Sequence, residues 1–217
     1  SLSIDDVTVA EAGAAAHFTV TLAHSRTCDV TFTINTANGT AVSGLDYTSI
    51  TSATYTIPAG STTVEINVPI IDDDIAETSE TFYVNLSNPL YATLSDASGE
   101  GTILDNDITA IVVSDVTATE GSNLDFSITL TKQSSTAVTF TPSLADVTAV
   151  LGTDTGTPFQ YSNDGGISWT IWTAGSITIP AMATSVLFRV PLTDDHIAEL
   201  TETFTMTVDV TSGNTAN

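Results

Sequence analysis

Apolar and polar side chains alternate in Val64-Glu65-Ile66-Asn67-Val68-Pro69-Ile70, and the same apolar positions return in the stretch 186–192. A period of two residues places the apolar side chains on one face of a β-strand and the remaining side chains on the other. Similar alternation runs through 18–22, 82–86 and 204–210, and no convincing apolar stripe with the 3.6-residue period of a helix competes with it. The sequence therefore predicts an all-β fold.

The chain also repeats itself. Asp6-Val7-Thr8-Val9-Ala10-Glu11 returns as Asp115-Val116-Thr117-Ala118-Thr119-Glu120, and the run from Asp72 to Phe82 returns from Asp194 to Phe204. The spacing between the copies grows after Asp154, so the second copy carries an insertion there. Short strands separated by turn residues are typical of sandwiches in which each sheet has one polar face.

We therefore predict two tandem antiparallel Greek-key β-sandwiches of the immunoglobulin-like kind, with about seven strands each. The first module is predicted at residues 1–107 and the second at 108–217, truncated at its C-terminus. The alternation slips in phase between Ile4 and Val7. This slip predicts a bulge or a change of sheet in the first strand.

The charge balance limits the partners. The chain has 26 Asp and Glu residues, 3 Lys and Arg residues, and a formal net charge of -23. Nucleic acid and anionic membrane surfaces both require clustered Lys and Arg, so neither is an expected partner. No stretch is apolar for long enough to predict insertion into a membrane. A folded chain of this charge repels itself, so cations are the expected compensation.

Many of the acidic residues stand in loops at the ends of the predicted strands. Loops of one polarity meet at the same end of a sandwich, so acids far apart in sequence can converge. Converging carboxylates repel one another unless a cation lies between them, and Ca²⁺ takes six to eight oxygen ligands in flexible geometry. A lone acidic loop is more often a solvated turn, but here the whole constellation recurs in the second copy.

Several motifs of the first copy resemble the Calx-beta domain family. They are Asp72-Asp73-Asp74-Ile75-Ala76-Glu77, Gly44-Leu45-Asp46-Tyr47 and Gly101-Thr102-Ile103-Leu104-Asp105-Asn106-Asp107. The resemblance implies a sandwich with calcium ions at one end and no catalytic activity. The ligands that it implies for the first copy are Glu11, Asp46, Asp72, Asp73, Glu77, Asp105 and Asp107, with Glu80 as a further candidate.

The second copy matches less completely. Its implied ligands are Glu120, Asp154, Asp194, Asp195 and Glu199, with Glu202 as a further candidate. His196 and Thr155 stand where the first copy has Asp74 and Tyr47. Asn106 also departs from the exchanger-type pattern of this family, which has Asp there, so fewer ions or weaker binding are expected.

The insertion contains Ser162-Asn163-Asp164-Gly165-Gly166-Ile167-Ser168-Trp169. This run fits an Asp-box, a β-hairpin turn in which the Asp caps backbone amides and the Trp packs beneath. We interpret Trp169 as a core residue and leave Trp172 undecided between the core and a binding surface. Cys28 is interpreted as a small core residue.

The favoured function is a calcium-binding structural spacer in a large extracellular protein such as a bacterial adhesin, where Ca²⁺ stiffens the connection between modules. Its expected partners are neighbouring modules of the same chain, and the piece itself is expected to be monomeric. Two alternatives remain open: a calcium-sensing regulatory pair of the exchanger type, and a module that binds a carbohydrate or a cell-surface protein through the insertion. No catalytic motif was found.

Overall fold

The computed structural model describes residues 1–213 of the chain. Sixteen β-strands and no helices occur in this part, so no helix there could span a membrane. The chain divides into two compact units, which we call unit 1 (residues 1–73 and 78–106) and unit 2 (residues 74–77 and 107–217). The prediction of an all-β fold is confirmed.

Unit 1 holds the first eight strands: β1 (Leu2–Ile4), β2 (Val7–Ala10), β3 (Ala15–Leu22), β4 (Val30–Asn38), β5 (Ala53–Ile57), β6 (Thr63–Pro69), β7 (Glu80–Leu90) and β8 (Ser98–Leu104). They form a three-stranded sheet in the order β1-β3-β6 and a five-stranded sheet in the order β2-β8-β7-β4-β5. The alternating apolar side chains of both sheets form one buried core, in which Phe18 packs edge-on against Phe82 and Tyr47 stacks on Phe82.

The slip in phase near the N-terminus is a change of sheet. β1 pairs antiparallel with β3, whereas β2 pairs parallel with β8 in the other sheet. Asp5 and Asp6 form the crossing and each accepts a backbone hydrogen bond, from Thr19 and Glu100 respectively. Because the chain keeps its direction as it changes sheet, β2 and β8 form a parallel pair in this mainly antiparallel sandwich.

Unit 2 holds the remaining strands: β9 (Ile111–Val113), β10 (Asn123–Leu130), β11 (Val138–Asp146), β12 (Phe159–Ser162), β13 (Thr170–Trp172), β14 (Ile177–Ile179), β15 (Ser185–Pro191) and β16 (Phe204–Ser212). They form sheets in the orders β13-β12-β15-β10-β9 and β14-β11-β16. The core again lies between the sheets, and Phe126 packs edge-on against Phe204 as Phe18 does against Phe82.

The insertion is a β-hairpin that widens one sheet of unit 2. β12 pairs with β13 and also with β15, so the hairpin adds two strands at that edge. Between them, the Asp164 carboxylate accepts hydrogen bonds from the backbone N–H and the hydroxyl of Ser168. These hydrogen bonds hold the pKa of Asp164 well below its usual range. The structure therefore has the capped hairpin turn that the Asp-box pattern predicts.

Two interpretations of single residues were wrong. Trp169 is half-buried and lies under the Arg189 guanidinium, 3.6 Å from the ring centroid, while Trp172 packs against the core beside Phe188. Alternation along β13 decides between the two residues, because Trp172 is on its inner face and Trp169 precedes the strand. Cys28 is exposed, since it lies in the loop before β4 begins at Val30.

Candidate metal centres

The pairing of β2 with β8 brings two of the candidate ligands together. Ala10 and Leu104 are register partners at the ends of these parallel strands, so the residues that follow them, Glu11 and Asp105, leave the sheet at the same edge. The backbone N–H of Glu11 donates to the carbonyl of Leu104 at 2.8 Å. This bond continues the ladder by one step and fixes Glu11 beside Asp105.

The Glu11 side chain is buried among other acids. It is only 4% exposed, and its Oε2 is buried without a hydrogen-bond partner among residues 1–213. Burial, followed by the charges of Asp73 and Asp105, raises the pKa of Glu11 to about 7. A hydrogen bond from the Asp73 backbone opposes this rise but does not cancel it. An ionised Glu11 at this place requires a nearby cation.

Glu11, Asp105 and Asp107 each offer a carboxylate oxygen within 4.8 Å of the others. All three side chains are buried or half-buried. Asn106 stands between the two Asp residues in sequence, and its Oδ1 accepts a hydrogen bond from the backbone of Ala12 at 3.2 Å. The side-chain carbonyl oxygen of Asn106 therefore supports the turn after β2.

A second group joins Asp46, Glu77 and Glu80, whose carboxylate oxygens also lie within 4.8 Å of one another. A tight turn presents Asp46: its backbone N–H donates to the carbonyl of Val42, and its Oδ2 accepts from the N–H of Val42 at 2.6 Å. Gly44, with a φ of 89°, permits this turn. Glu80, which we had given only as a further candidate, belongs to this group.

Unit 2 repeats the arrangement with more exposed residues. Glu120, Asp195 and Glu199 form one group, and Asp154, Glu199 and Glu202 form another that shares Glu199. Asp154 is held by the same turn as Asp46, because its Oδ2 accepts from the N–H of Val150 at 2.6 Å. Burial and the neighbouring carboxylates raise the pKa of Glu199 and of Glu202.

Three candidate ligands lie outside these groups. Asp72 and Asp194 are exposed, and Asp73 is half-buried beside Glu11. Asp194 accepts a hydrogen bond from the backbone of His196 and lies 3.1 Å from its ring. All three remain predictions as metal ligands.

Lys132 is a basic residue that contacts two of the acidic residues. The sequence did not predict this contact. Its ammonium group pairs with Asp107 and, at 3.0 Å, with Asp74. The hydrogen bond to Asp107, followed by that to Asp74, raises the pKa of Lys132. No local signal reveals this contact, since Lys132 lies in the loop after β10 and is remote in sequence from both partners.

These groups offer only oxygen ligands, which suits a hard divalent cation. The buried, unpartnered Oε2 of Glu11 is the observation that fits such an ion best, because a carboxylate oxygen in that position gains most from a bound cation. Ca²⁺ accepts the variable geometry of carboxylates from several loops more readily than Mg²⁺ does. Glu11, Asp105 and Asp107 would hold one ion, and Asp46, Glu77 and Glu80 a second.

Comparison with curated proteins finds sodium/calcium exchanger 1 of the dog, Canis lupus familiaris, 43% identical over 76 residues. That stretch is 35% of this chain and 8% of the exchanger. The rat exchanger, from Rattus norvegicus, matches to the same extent. The chain thus spans only a small part of the curated relatives that it matches.

Solved structures with similar folds include the apo-form Calx CBD1 domain, with a TM-score of 0.45 and 24% identity, which covers 49% of this chain and 98% of that domain. The Calx CBD12 structure has a TM-score of 0.46 and 17% identity and covers 96% of this chain and 79% of its own. The Calx-beta domain family model matches residues 1–117 and 173–217. The chain therefore belongs to the Calx-beta domain family, whose domains bind Ca²⁺.

Proposed function

We propose that this chain is a pair of calcium-loaded structural modules of a longer extracellular protein, in which Ca²⁺ stiffens the chain where it leaves unit 1. The observation that carries the proposal is the buried Glu11 carboxylate at the shared end of β2 and β8. The predicted division into modules at 107/108 and the predicted ligand sets are part of this proposal.

The expected stiffening of the chain at the end of unit 1 follows from the negative charges of the carboxylates there. Without a cation, ionised Glu11, Asp73 and Asp105 repel one another, and the end of β8 is pushed away from the loops after β2 and β6. With Ca²⁺ bound, the same side chains become ligands, and the last residues of unit 1 are held in one position. A protein that bears force or extends its reach benefits from such a fixed exit point.

The proposed extracellular location rests on the net charge of the chain. A net charge of -23 requires abundant cations, and the millimolar Ca²⁺ outside cells meets that need with weak sites. We propose neighbouring modules of the same chain as the partners and no catalytic role, in keeping with a family of calcium-binding domains. A bacterial adhesin is the kind of host protein that this proposal favours.

A calcium-sensing regulatory pair is a second candidate, because 76 residues are 43% identical to sodium/calcium exchanger 1. The two candidates differ in affinity. Calcium sensors bind Ca²⁺ with a Kd of about 10⁻⁷ to 10⁻⁵ M, whereas extracellular modules bind it with a Kd of about 10⁻⁴ to 10⁻³ M. A carbohydrate site on the insertion has less support, since the Arg189 guanidinium lies over one face of the Trp169 ring.

Calorimetric titration with Ca²⁺ tests the proposal. We expect binding in the millimolar range that Glu11→Gln weakens strongly and that Asp29→Asn leaves unchanged. Asp29 is a suitable control because it is an exposed acid outside the carboxylate groups of residues 1–213, and its Oδ1 accepts a hydrogen bond from the Ala59 backbone. Micromolar binding would favour the sensor, and equal affinities of both variants would show that the site lies elsewhere.

A further inference from the structure

The turn that presents Asp46 is tied to the core of unit 1 by the residue that follows it. Tyr47 is 1% exposed, and its ring stacks on Phe82 with ring centroids 4.6 Å apart. The Tyr47 hydroxyl group therefore lies inside the protein and requires a hydrogen-bond partner there. Asn38 is such a partner, because its Oδ1 accepts a hydrogen bond from this hydroxyl group at 2.7 Å.

Asn38 connects the buried hydroxyl group to the turn itself. It is the last residue of β4, and the same Oδ1 accepts a hydrogen bond from the backbone N–H of Ser43 at 3.0 Å. The neighbouring N–H of Val42 donates to the Asp46 carboxylate. One side-chain oxygen therefore fixes the middle of the turn relative to a hydroxyl group in the core.

Unit 2 forms the same turn with different side chains. Asp146 stands at the position of Asn38, and its Oδ1 accepts a hydrogen bond from the N–H of Leu151 at 2.8 Å. Thr155 stands at the position of Tyr47, and its hydroxyl oxygen accepts a hydrogen bond from the backbone inside the turn at 3.0 Å. The turn of unit 2 therefore closes without an aromatic hydroxyl group.

This comparison separates two roles that the Tyr47 hydroxyl group could have. The carboxylates of Asp46 in unit 1 and Asp154 in unit 2 each accept a backbone hydrogen bond within the turn at 2.6 Å. The Tyr47 hydroxyl group is therefore not required for closing the turn. What it adds is a link from the closed turn, through Asn38, to a ring that is packed in the core.

We propose that Tyr47 and Asn38 are positioning residues for the candidate metal centre of Asp46, Glu77 and Glu80. Their hydrogen bond holds the Asp46 turn against the core, so its carboxylate is already within 4.8 Å of the other two when a cation arrives. A loosened turn must be ordered when the cation binds, and this ordering weakens binding. The inference rests on the proposed calcium-binding function.

Calorimetric titration of Tyr47→Phe with Ca²⁺ tests the proposal, because this variant loses the hydroxyl group and keeps the ring. We expect the ion at Asp46 to bind about three- to tenfold more weakly, the range expected for one lost hydrogen bond. Binding at Glu11 should keep its wild-type affinity, and the loss should persist in a Glu11→Gln background. A merely structural role would instead weaken both centres, and that result overturns the proposal.

Tyr55→Phe is the matched control, since Tyr55 lies in the same unit and its ring stacks on Phe32. This variant also loses one phenolic hydroxyl group, and it should bind Ca²⁺ with wild-type affinity. Equal affinities of Tyr47→Phe and Tyr55→Phe overturn the proposal.

Asn38 supplies a second pair of variants. Asn38→Asp keeps an acceptor oxygen, as Asp146 does in unit 2, and should bind Ca²⁺ at least as tightly as the wild type. Asn38→Leu removes the acceptor and should bind as weakly as Tyr47→Phe. If Asn38→Asp is as weak as Asn38→Leu, the acceptor oxygen does not position the turn and the proposal is wrong.

A measurement without calcium distinguishes failure of this inference from failure of the proposed function. In the metal-free chain, hydrogen exchange at the Ser43 N–H should be faster in Tyr47→Phe than in the wild type, because Asn38 loses one of the contacts that hold it. Unchanged exchange overturns the positioning role alone. A wild-type chain that binds no Ca²⁺ overturns the proposed function, and with it the role of Tyr47 at a metal centre.

Discussion

Glu11 and Lys132 have opposite effects on the charge around the candidate metal centre of Glu11, Asp105 and Asp107. Glu11 adds a buried negative charge beside Asp73 and Asp105, which raises its pKa to about 7. Lys132 brings a positive charge to Asp107 and Asp74. Each of these two effects leads to a prediction that a single substitution can test.

The first prediction concerns pH in the absence of calcium. Because burial raises the pKa of Glu11 from its ordinary value of 4.5 to about 7 in the folded chain, Glu11 loses its proton at a lower pH in the unfolded state. The stability contribution is therefore favourable at low pH and is lost as pH rises from about 4.5 to about 7. Chemical unfolding across this range should show a fall in stability that is smaller in Glu11→Gln.

Glu199 and Glu202 also have raised pKa values, so the difference between the wild-type protein and the variant is the informative quantity. Identical pH profiles of the two proteins would contradict the assignment of a perturbed carboxyl to Glu11.

The second prediction concerns Lys132. A cation bound to Asp107 competes with Lys132 for the same carboxylate, so Lys132→Met should raise the calcium affinity of the chain and reduce the effect of salt on it. Arg189→Met is the matched control, because Arg189 forms its ion pair with Asp125 and with neither Asp74 nor Asp107. Calorimetry at two salt concentrations measures both effects. A lower affinity in Lys132→Met would mean that Lys132 assists binding.

At the scale of elements, β8 joins the core of unit 1 to its metal centre. Its glycines allow close approach to Phe18 and Phe82, and its end presents Asp105. The parallel pairing with β2 places Glu11 beside Asp105. A change in the middle of β8 should therefore affect stability and calcium binding together.

The third prediction tests this coupling. Gly101→Ala places a methyl group against the Phe82 ring and should lower the free energy of unfolding by about 1–3 kcal/mol, with weaker calcium binding. Gly156→Ala is the control, since its Cβ would meet only atoms at 3.6 Å or beyond and its φ is not in the left-handed region. Thermal and chemical unfolding measure the loss. Equal stabilities of the two variants would contradict close packing at β8.

Sequence periodicity predicted the long strands well, since the alternating residues of β3, β6 and β15 face the core. It also located the change of sheet near Asp5. It could not predict that β2 pairs parallel with β8, because this register depends on residues far apart in sequence. Trp169 and Cys28 were misjudged because both lie just outside a strand, where alternation carries no information.

The acidic groups show a similar limit. The sequence indicated which loops carry the acids, and the structure gathers Glu11 with Asp105 and Asp46 with Glu80. It could not show that Asn106 bonds to Ala12, that Asp194 bonds to His196, or that Lys132 reaches Asp107. Each of these contacts depends on local loop geometry or on tertiary structure.

For the whole molecule, the internal repeat and the net charge of -23 both support the proposal of two calcium-binding modules. Each unit carries carboxylate groups at loops that follow its strands, and the two units differ in how deeply those groups are buried. The first unit has the buried Glu11, whereas the grouped acids of the second unit are half-buried or exposed. We expect calcium to bind more strongly to the first unit for this reason.

Small-angle X-ray scattering with and without about 5 mM Ca²⁺, a concentration above the affinity range of extracellular sites, tests the stiffening most directly. We predict a longer maximum dimension and less flexibility with calcium in the wild-type chain and in Asp29→Asn, and little change in Glu11→Gln. Identical dimensions and flexibility of the wild-type chain in both conditions would contradict the spacer mechanism even if calcium binds.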